Sequence, residues 1–95
     1  MSMERAQQWA VAYDISVNRE RVRVEKVLRG WGHRVQKSVF LVTVSRGGME
    51  RLKVELERLK VQSGTILFMR LLSDHDPVAI GQPWIHPDAG AAYVV

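Results

Sequence analysis

Large apolar residues alternate with smaller ones from Gln8 to Ile15, with Trp9, Val11, Tyr13 and Ile15 on one face and Ala10, Ala12 and Asp14 on the other. A period of two predicts a strand, and the small alanines predict that a helix approaches closely on their face. The period then changes. Val24, Val27, Leu28 and Trp31 recur at i, i+3, i+4 and i+7, the buried stripe of a helix over Arg19 to Gly30, with Asn18 as its N-cap and Gly30 and Gly32 ending it. Val22 falls nearly opposite that stripe. Arg34 to Ser45 reads as extended, since Val35, Val39, Phe40, Val42 and Val44 dominate it. Twelve residues exceed the usual strand of about 5–6, so a break is expected near Gln36–Lys37–Ser38, giving two antiparallel strands without an Asn-Gly or Asp-Gly turn. Gly47-Gly48 opens a second predicted helix, Met49 to Lys60, with Met49, Leu52, Leu56 and Leu59 facing inward. Its outer positions alternate in sign (Glu50, Arg51, Lys53, Glu55, Glu57, Arg58), a solvated face. Ser63-Gly64 is a turn, and Thr65 to Leu72 is a nearly continuous apolar strand.

The predicted order is βαββαβ, an α+β plan with two helices on one face of an antiparallel sheet, the ferredoxin-like arrangement. Residues 1–95 are expected to form a single domain with its core over about 8–72. The tail, 73–95, is kept irregular by Pro77, Pro83, Pro87, Gly81 and Gly90 until Ala91 to Val95, a candidate short strand swapped onto, or packed against, a partner subunit.

Composition narrows the setting. Ninety-five residues at 46% hydrophobic content form a globular but small core, so pairing with a second copy through a sheet edge is expected. The absence of cysteine excludes disulfides and thiolate–metal sites and fits a cytoplasmic protein. Glu4, Arg5, Gln7 and Gln8 interrupt any secretory signal core, and no run approaches the roughly 20 apolar residues of a membrane span. The net charge of +4 is uneven: residues 19–46 hold eight Lys or Arg and two Glu, a local +6, against −2 for the remainder. Such a concentration is a footprint for a polyanion, or else an ordinary soluble basic surface.

Asp14 is the foremost candidate for chemistry. A carboxylate at the end of a central strand is costly to bury unless it is paired, hydrogen-bonded or metal-bound. One reading makes it a ligand for Mg²⁺ or Mn²⁺, completed by Asp14 of a second subunit across a two-fold axis. The other makes it a cap on the following turn, accepting from Ser16 or Val17 backbone donors. Arg19, Arg21 and Arg23 open the first helix. With Arg34 and Lys37 they are candidate phosphate contacts, or separately solvated cations. Ser38 offers a hydroxyl to phosphate or helps the turn, and Phe40 is either core or a stacking platform. His33, His75 and His86, with Asp74, Asp76 and Asp88, match no zinc spacing.

Tyr13-Asp14-Ile15, the Arg-rich helix and Arg34-Val35-Gln36-x-Ser38-Val39-Phe40 together resemble the CRISPR-associated Cas-two family over residues 9–72. The resemblance implies a ferredoxin-like homodimer acting in spacer acquisition and antiviral defence, and a metal-dependent endonuclease (ssRNA or dsDNA). It implies Asp14 of both subunits as the metal-binding, catalytic aspartate, with Arg19, Arg21, Arg34, Ser38 and Phe40 around it in a cleft. It also implies a partner integrase of the Cas-one type and a C-terminal strand added to the neighbour's sheet. Ser16-Val17-Asn18 stands where acidic residues are usual in that family. Two alternatives accompany this reading: a non-catalytic scaffold bridging integrase subunits on DNA, and a toxin-like ribonuclease of the virulence-associated D type.

Overall fold

The computed structural model describes residues 5–72 and 80–81. The expected tail strand and the histidines and aspartates at 74–76, 86 and 88 lie outside those residues. The order is β1 (Gln7–Ile15), α1 (Asn18–Arg29), β2 (Gly32–Gln36), β3 (Val39–Val44), α2 (Arg46–Glu57) and β4 (Gly64–Arg70). All strand pairs are antiparallel in one sheet of order β2-β3-β1-β4, so β1 and β3 are inner and β2 and β4 are edges. This is the expected βαββαβ plan. The extended run breaks at Lys37–Ser38 as anticipated, and the β2–β3 register slips between Arg34 and Gln36, a bulge that lets the ribbon close without a glycine turn.

The helices cover the face opposite to the one the alanines predicted. Val11, Tyr13 and Ile15 of β1 and Phe40, Val42 and Val44 of β3 form one buried cluster with Val24 and Leu28 of α1 and Met49, Leu52 and Leu56 of α2. Large side chains fill the gap between sheet and helices, whereas alanines there would leave cavities. Ala10, Ala12 and Asp14 therefore stand on the open face. There they are beside Leu41 of β3 and Leu67 and Met69 of β4 by register.

Two helix starts also differ from expectation. Val17, not Asn18, is the N-cap of α1 and makes no side-chain cap; Asn18 is the first helical residue. In α2 the Ser45 hydroxyl accepts from the Gly48 amide at 3.0 Å, so the helix begins at Arg46 and contains both glycines. First-turn amides have no intrahelical partner, so a hydroxyl there matters more than glycine's weak propensity. A β-carbon at Gly48 would stand 3.3 Å from Val44 Cβ and 3.6 Å from the Trp31 ring, so the helix lies close against β3.

Candidate metal and nucleic-acid site

Asp14 is the next-to-last residue of an inner strand. The alternation that sends Tyr13 and Ile15 into the core sends Asp14 to the open face, where it is exposed. The backbone donors that a capping aspartate would engage are occupied elsewhere. Ser63, in the turn before β4, accepts Ser16 N with its carbonyl at 3.1 Å and Val17 N with its hydroxyl oxygen at 3.0 Å. The Ser16 hydroxyl also donates to that carbonyl at 3.2 Å. The turn is thus capped from across the sheet, and the capping reading of Asp14 is overturned. Among the described residues, no hydrogen-bond donor meets the Asp14 carboxylate.

Glu20 of α1 holds Ser63 in turn. Its Oε1 accepts the Ser63 amide at 2.9 Å and the Ser63 hydroxyl, and its Oε2 accepts the Gln62 amide at 2.9 Å. The Ser63 hydroxyl first, then the Gln62 amide, hold the Glu20 carboxyl below the usual carboxylate range. Arg21 closes the same corner, donating from Nη1 to the Ile15 carbonyl at 3.0 Å and from Nη2 to Asn18 Oδ1 at 2.6 Å. Its guanidinium is used to fasten the end of β1 to the start of α1.

A polar network lies on the helix side of the sheet. The Tyr13 hydroxyl donates to Glu25 Oε2 at 2.7 Å, with the Lys37 carbonyl at 3.1 Å as its other acceptor. Burial first, then the bond to Glu25, push the Tyr13 hydroxyl well above the ordinary tyrosine range. Arg34 is opposite Phe40 in the ladder, so both side chains leave the same face. Its Nη2 is 2.9 Å from Glu25 Oε1 and 3.3 Å from the Tyr13 oxygen, and its guanidinium carbon is 5.2 Å from the Phe40 ring centroid. The two charged side chains are only 9% and 13% exposed. Removing one partner from a pair so enclosed costs about 3–5 kcal/mol.

Two expectations need correction. Phe40 is 0% exposed, so it is core and offers no surface to a base. Arg34 is on the helix face while Asp14 is on the open face, so the two do not line one cleft. The remaining cations are differently placed. Arg19, Arg23 and Lys26 are exposed on the side of α1 away from Val24 and Leu28, and Lys37 is exposed at the β2–β3 turn. Ser38 is half-buried, and its carbonyl accepts Tyr13 N at 3.0 Å, which brings that turn alongside the end of β1.

Sequence reasoning missed Glu20, Glu25 and Ser63. Glu25 had a signal, since it adjoins the Val24–Leu28 stripe and so borders the core. Ser63 had none, because its partners are more than forty residues away in the chain. Among the described residues no three His, Cys, Asp or Glu side chains gather as a metal cage. Asp14 fits a hard, largely hydrated cation as one oxygen ligand, with its carboxylate facing outward and unencumbered.

Comparison with known proteins agrees with this architecture. Residues 7–76 match the family model described as CRISPR associated protein Cas2. A Thermus thermophilus protein named CRISPR-associated endoribonuclease Cas2 is 36% identical over 74 residues, 78% of this chain and 76% of that protein. A Mycobacterium tuberculosis protein of the same name is 34% identical over 61 residues, 64% of this chain. The matched segment spans only 54% of that relative's length. Among solved structures, the hypothetical protein TT1823 from Thermus thermophilus superposes with a TM-score of 0.71 at 26% identity, covering 83% of this chain and 99% of that one. The chain belongs to the CRISPR-associated Cas2 family.

Proposed function

We propose that this Cas2-family protein is a homodimer that binds the phosphate backbone of nucleic acid and hydrolyses phosphodiesters with Mg²⁺ or Mn²⁺ at Asp14, in the service of spacer acquisition and antiviral defence. The observation that carries the reading is the state of Asp14. It is an exposed carboxylate at the end of an inner strand, and the turn donors it would otherwise satisfy are bound by Ser63. The names of the relatives, as endoribonucleases, support the reaction class.

The open face supports a second copy. Leu67 and Met69 are 58% and 42% exposed there, whereas Leu41 on the β3 side is only 5% exposed, so the β4 side of this face offers apolar surface for contact with a second copy. A two-fold axis passing near the end of β1 sets one Asp14 opposite the other. The Asp14 carboxylates would hold a divalent cation there, and such a cation would supply polarisation of phosphate and a lowered pKa for a coordinated water. The residues of this chain have separate tasks. Asp14 supplies oxygen ligands, Arg21 and Ser63 hold the strand end that carries it, and Arg19, Arg23, Lys26 and Lys37 neutralise backbone phosphates.

A second reading is the non-catalytic scaffold that positions duplex DNA for a partner integrase of the Cas-one type. The exposure of Arg19, Arg23, Lys26 and Lys37 favours it, because a scaffold needs backbone contacts and no metal. Titrating the protein with single-stranded RNA and with duplex DNA, with and without Mg²⁺, beside Asp14→Asn separates the two. An enzyme loses cleavage in Asp14→Asn and keeps binding. A scaffold binds in both forms, cleaves in neither, and supports integration regardless of the substitution. Full cleavage by Asp14→Asn would place the activity elsewhere.

A further inference from the structure

Arg34 belongs to the basic segment that reads as a nucleic-acid footprint, yet its surroundings are those of a structural cation. The register directs it to the helix face, Glu25 takes it at 2.9 Å, its guanidinium carbon lies over the Phe40 ring 5.2 Å from the centroid, and its side chain is 9% exposed. Glu25 is engaged on both carboxylate oxygens, Oε1 by Arg34 and Oε2 by the Tyr13 hydroxyl. Arg29 Nη2 is a more distant second cation at 4.0 Å and is itself exposed.

We infer that Glu25 is a positioning residue that withholds Arg34 from nucleic acid and commits it to the hairpin, so that phosphate contacts fall to Arg19, Arg23, Lys26 and Lys37. This rests on the backbone-binding reading above and divides the cations of that segment into two groups. Competition explains the division. An incoming phosphate must pull Arg34 from a poorly screened carboxylate, off an aromatic face, and leave Glu25 enclosed without its charge partner. The outward arginines of α1 require no such rearrangement. The Tyr13 hydroxyl also lies 3.1 Å from the Lys37 carbonyl, so the network borders the turn that carries Lys37.

Four proteins test this: the unmodified chain, Arg34→Gln, Glu25→Gln, and the double variant, each titrated with duplex DNA across a salt series. Arg34→Gln is expected to leave the log–log salt slope unchanged. Glu25→Gln keeps the shape and the Tyr13 acceptor but releases Arg34, so its slope steepens by about 0.9 for each additional phosphate neutralised. The double variant returns to the original slope, which a loss of folding does not produce, while a general change in potential would flatten the slope of Arg34→Gln alone. A slope flattened by Arg34→Gln alone, or unmoved by Glu25→Gln, overturns the proposal. Arginine modification with phenylglyoxal, mapped by mass spectrometry on the unmodified chain, decides the point without nucleic acid. Arg34 should be protected while Arg19 and Arg23 react, and equal reaction at all three overturns the proposal. A protein that binds no DNA at all fails the proposed function, while the protection pattern still tells whether Arg34 is withheld.

Discussion

Glu20 accepts both the amide and the hydroxyl of Ser63, 43 residues away along the chain. That contact fastens the turn before β4 to the first helix, and through Ser63 it caps the turn that follows Asp14. One serine thus satisfies donors that the aspartate would otherwise take.

Ser63→Ala removes the acceptor for Val17 N and the hydroxyl donor to Glu20. It should lower stability by about 1 kcal/mol in urea unfolding. The Glu20 carboxyl is held below its usual range, so its contribution is present above the unfolded-state pKa and is lost as pH falls through the folded value. Glu20→Gln should accordingly be less stable than the unmodified chain at neutral pH and converge with it in acid. A gap of constant size across the pH series would show that the Glu20 charge is not the stabilising element.

The buried hydroxyl of Tyr13 favours its neutral form, raised above an ordinary value of 10.0. Its stabilisation is complete below that ordinary value and is lost as pH rises toward the folded one. Followed by phenolate absorbance, the folded protein should fall behind the urea-unfolded protein as pH rises above 10.0, by up to one ionised tyrosine. Tyr13→Phe should abolish that difference. Equal ionisation in the folded and unfolded proteins would contradict the burial of that hydroxyl and, after it, the bond to Glu25.

A β-carbon at Gly64 would collide with the backbone carbonyl of Asp14, close to its neighbour across the β1–β4 ladder. The obstacle is main chain and cannot swing aside. Gly64→Ala should cost about 1–3 kcal/mol and disturb the strand end that carries the candidate ligand, so metal binding should weaken along with stability. Metal affinity that survives intact would separate Asp14 from that strand geometry.

Arg23→Ala should flatten the salt dependence of duplex binding by about 0.9 in log–log slope for each phosphate no longer neutralised, uniformly across DNA sequences. An affinity that stays level through the salt series would remove the electrostatic reading of α1.

Leu67→Glu puts a charge on the exposed open face without entering the helix-side core. Sedimentation equilibrium should then show a shift from dimer toward the 10.9 kDa chain, with circular dichroism unchanged. Ending the chain after Asp88 should weaken the dimer independently if residues 91–95 cover a neighbouring edge strand. A dimer indifferent to both changes would lie on another surface.

Much of this protein is legible in its residues because the signals involved are local. Alternation over Gln8 to Ile15, a helical stripe from Val24 to Trp31, and a run too long for one strand were enough to order the elements and to place the break at Lys37–Ser38. The Tyr13-Asp14 strand and the Arg34 to Phe40 segment were enough to indicate the family. What the chain could not disclose was which face each signal would serve. Both faces of β1 are apolar, so alternation alone did not say that the helices take Tyr13 and leave Asp14 outside; the volume between sheet and helices decided that. Asn18 is well suited to a cap, but it is the first helical residue and its side-chain oxygen accepts from the Arg21 guanidinium instead. Arg34 and Phe40 look like site residues because the family resemblance sets them around Asp14. Only the antiparallel register, which sends opposed side chains to one face, turned them inward to Glu25 and the core. Local periodicity determined the elements, and long-range pairing, invisible to any local pattern, determined which charges remain free to act.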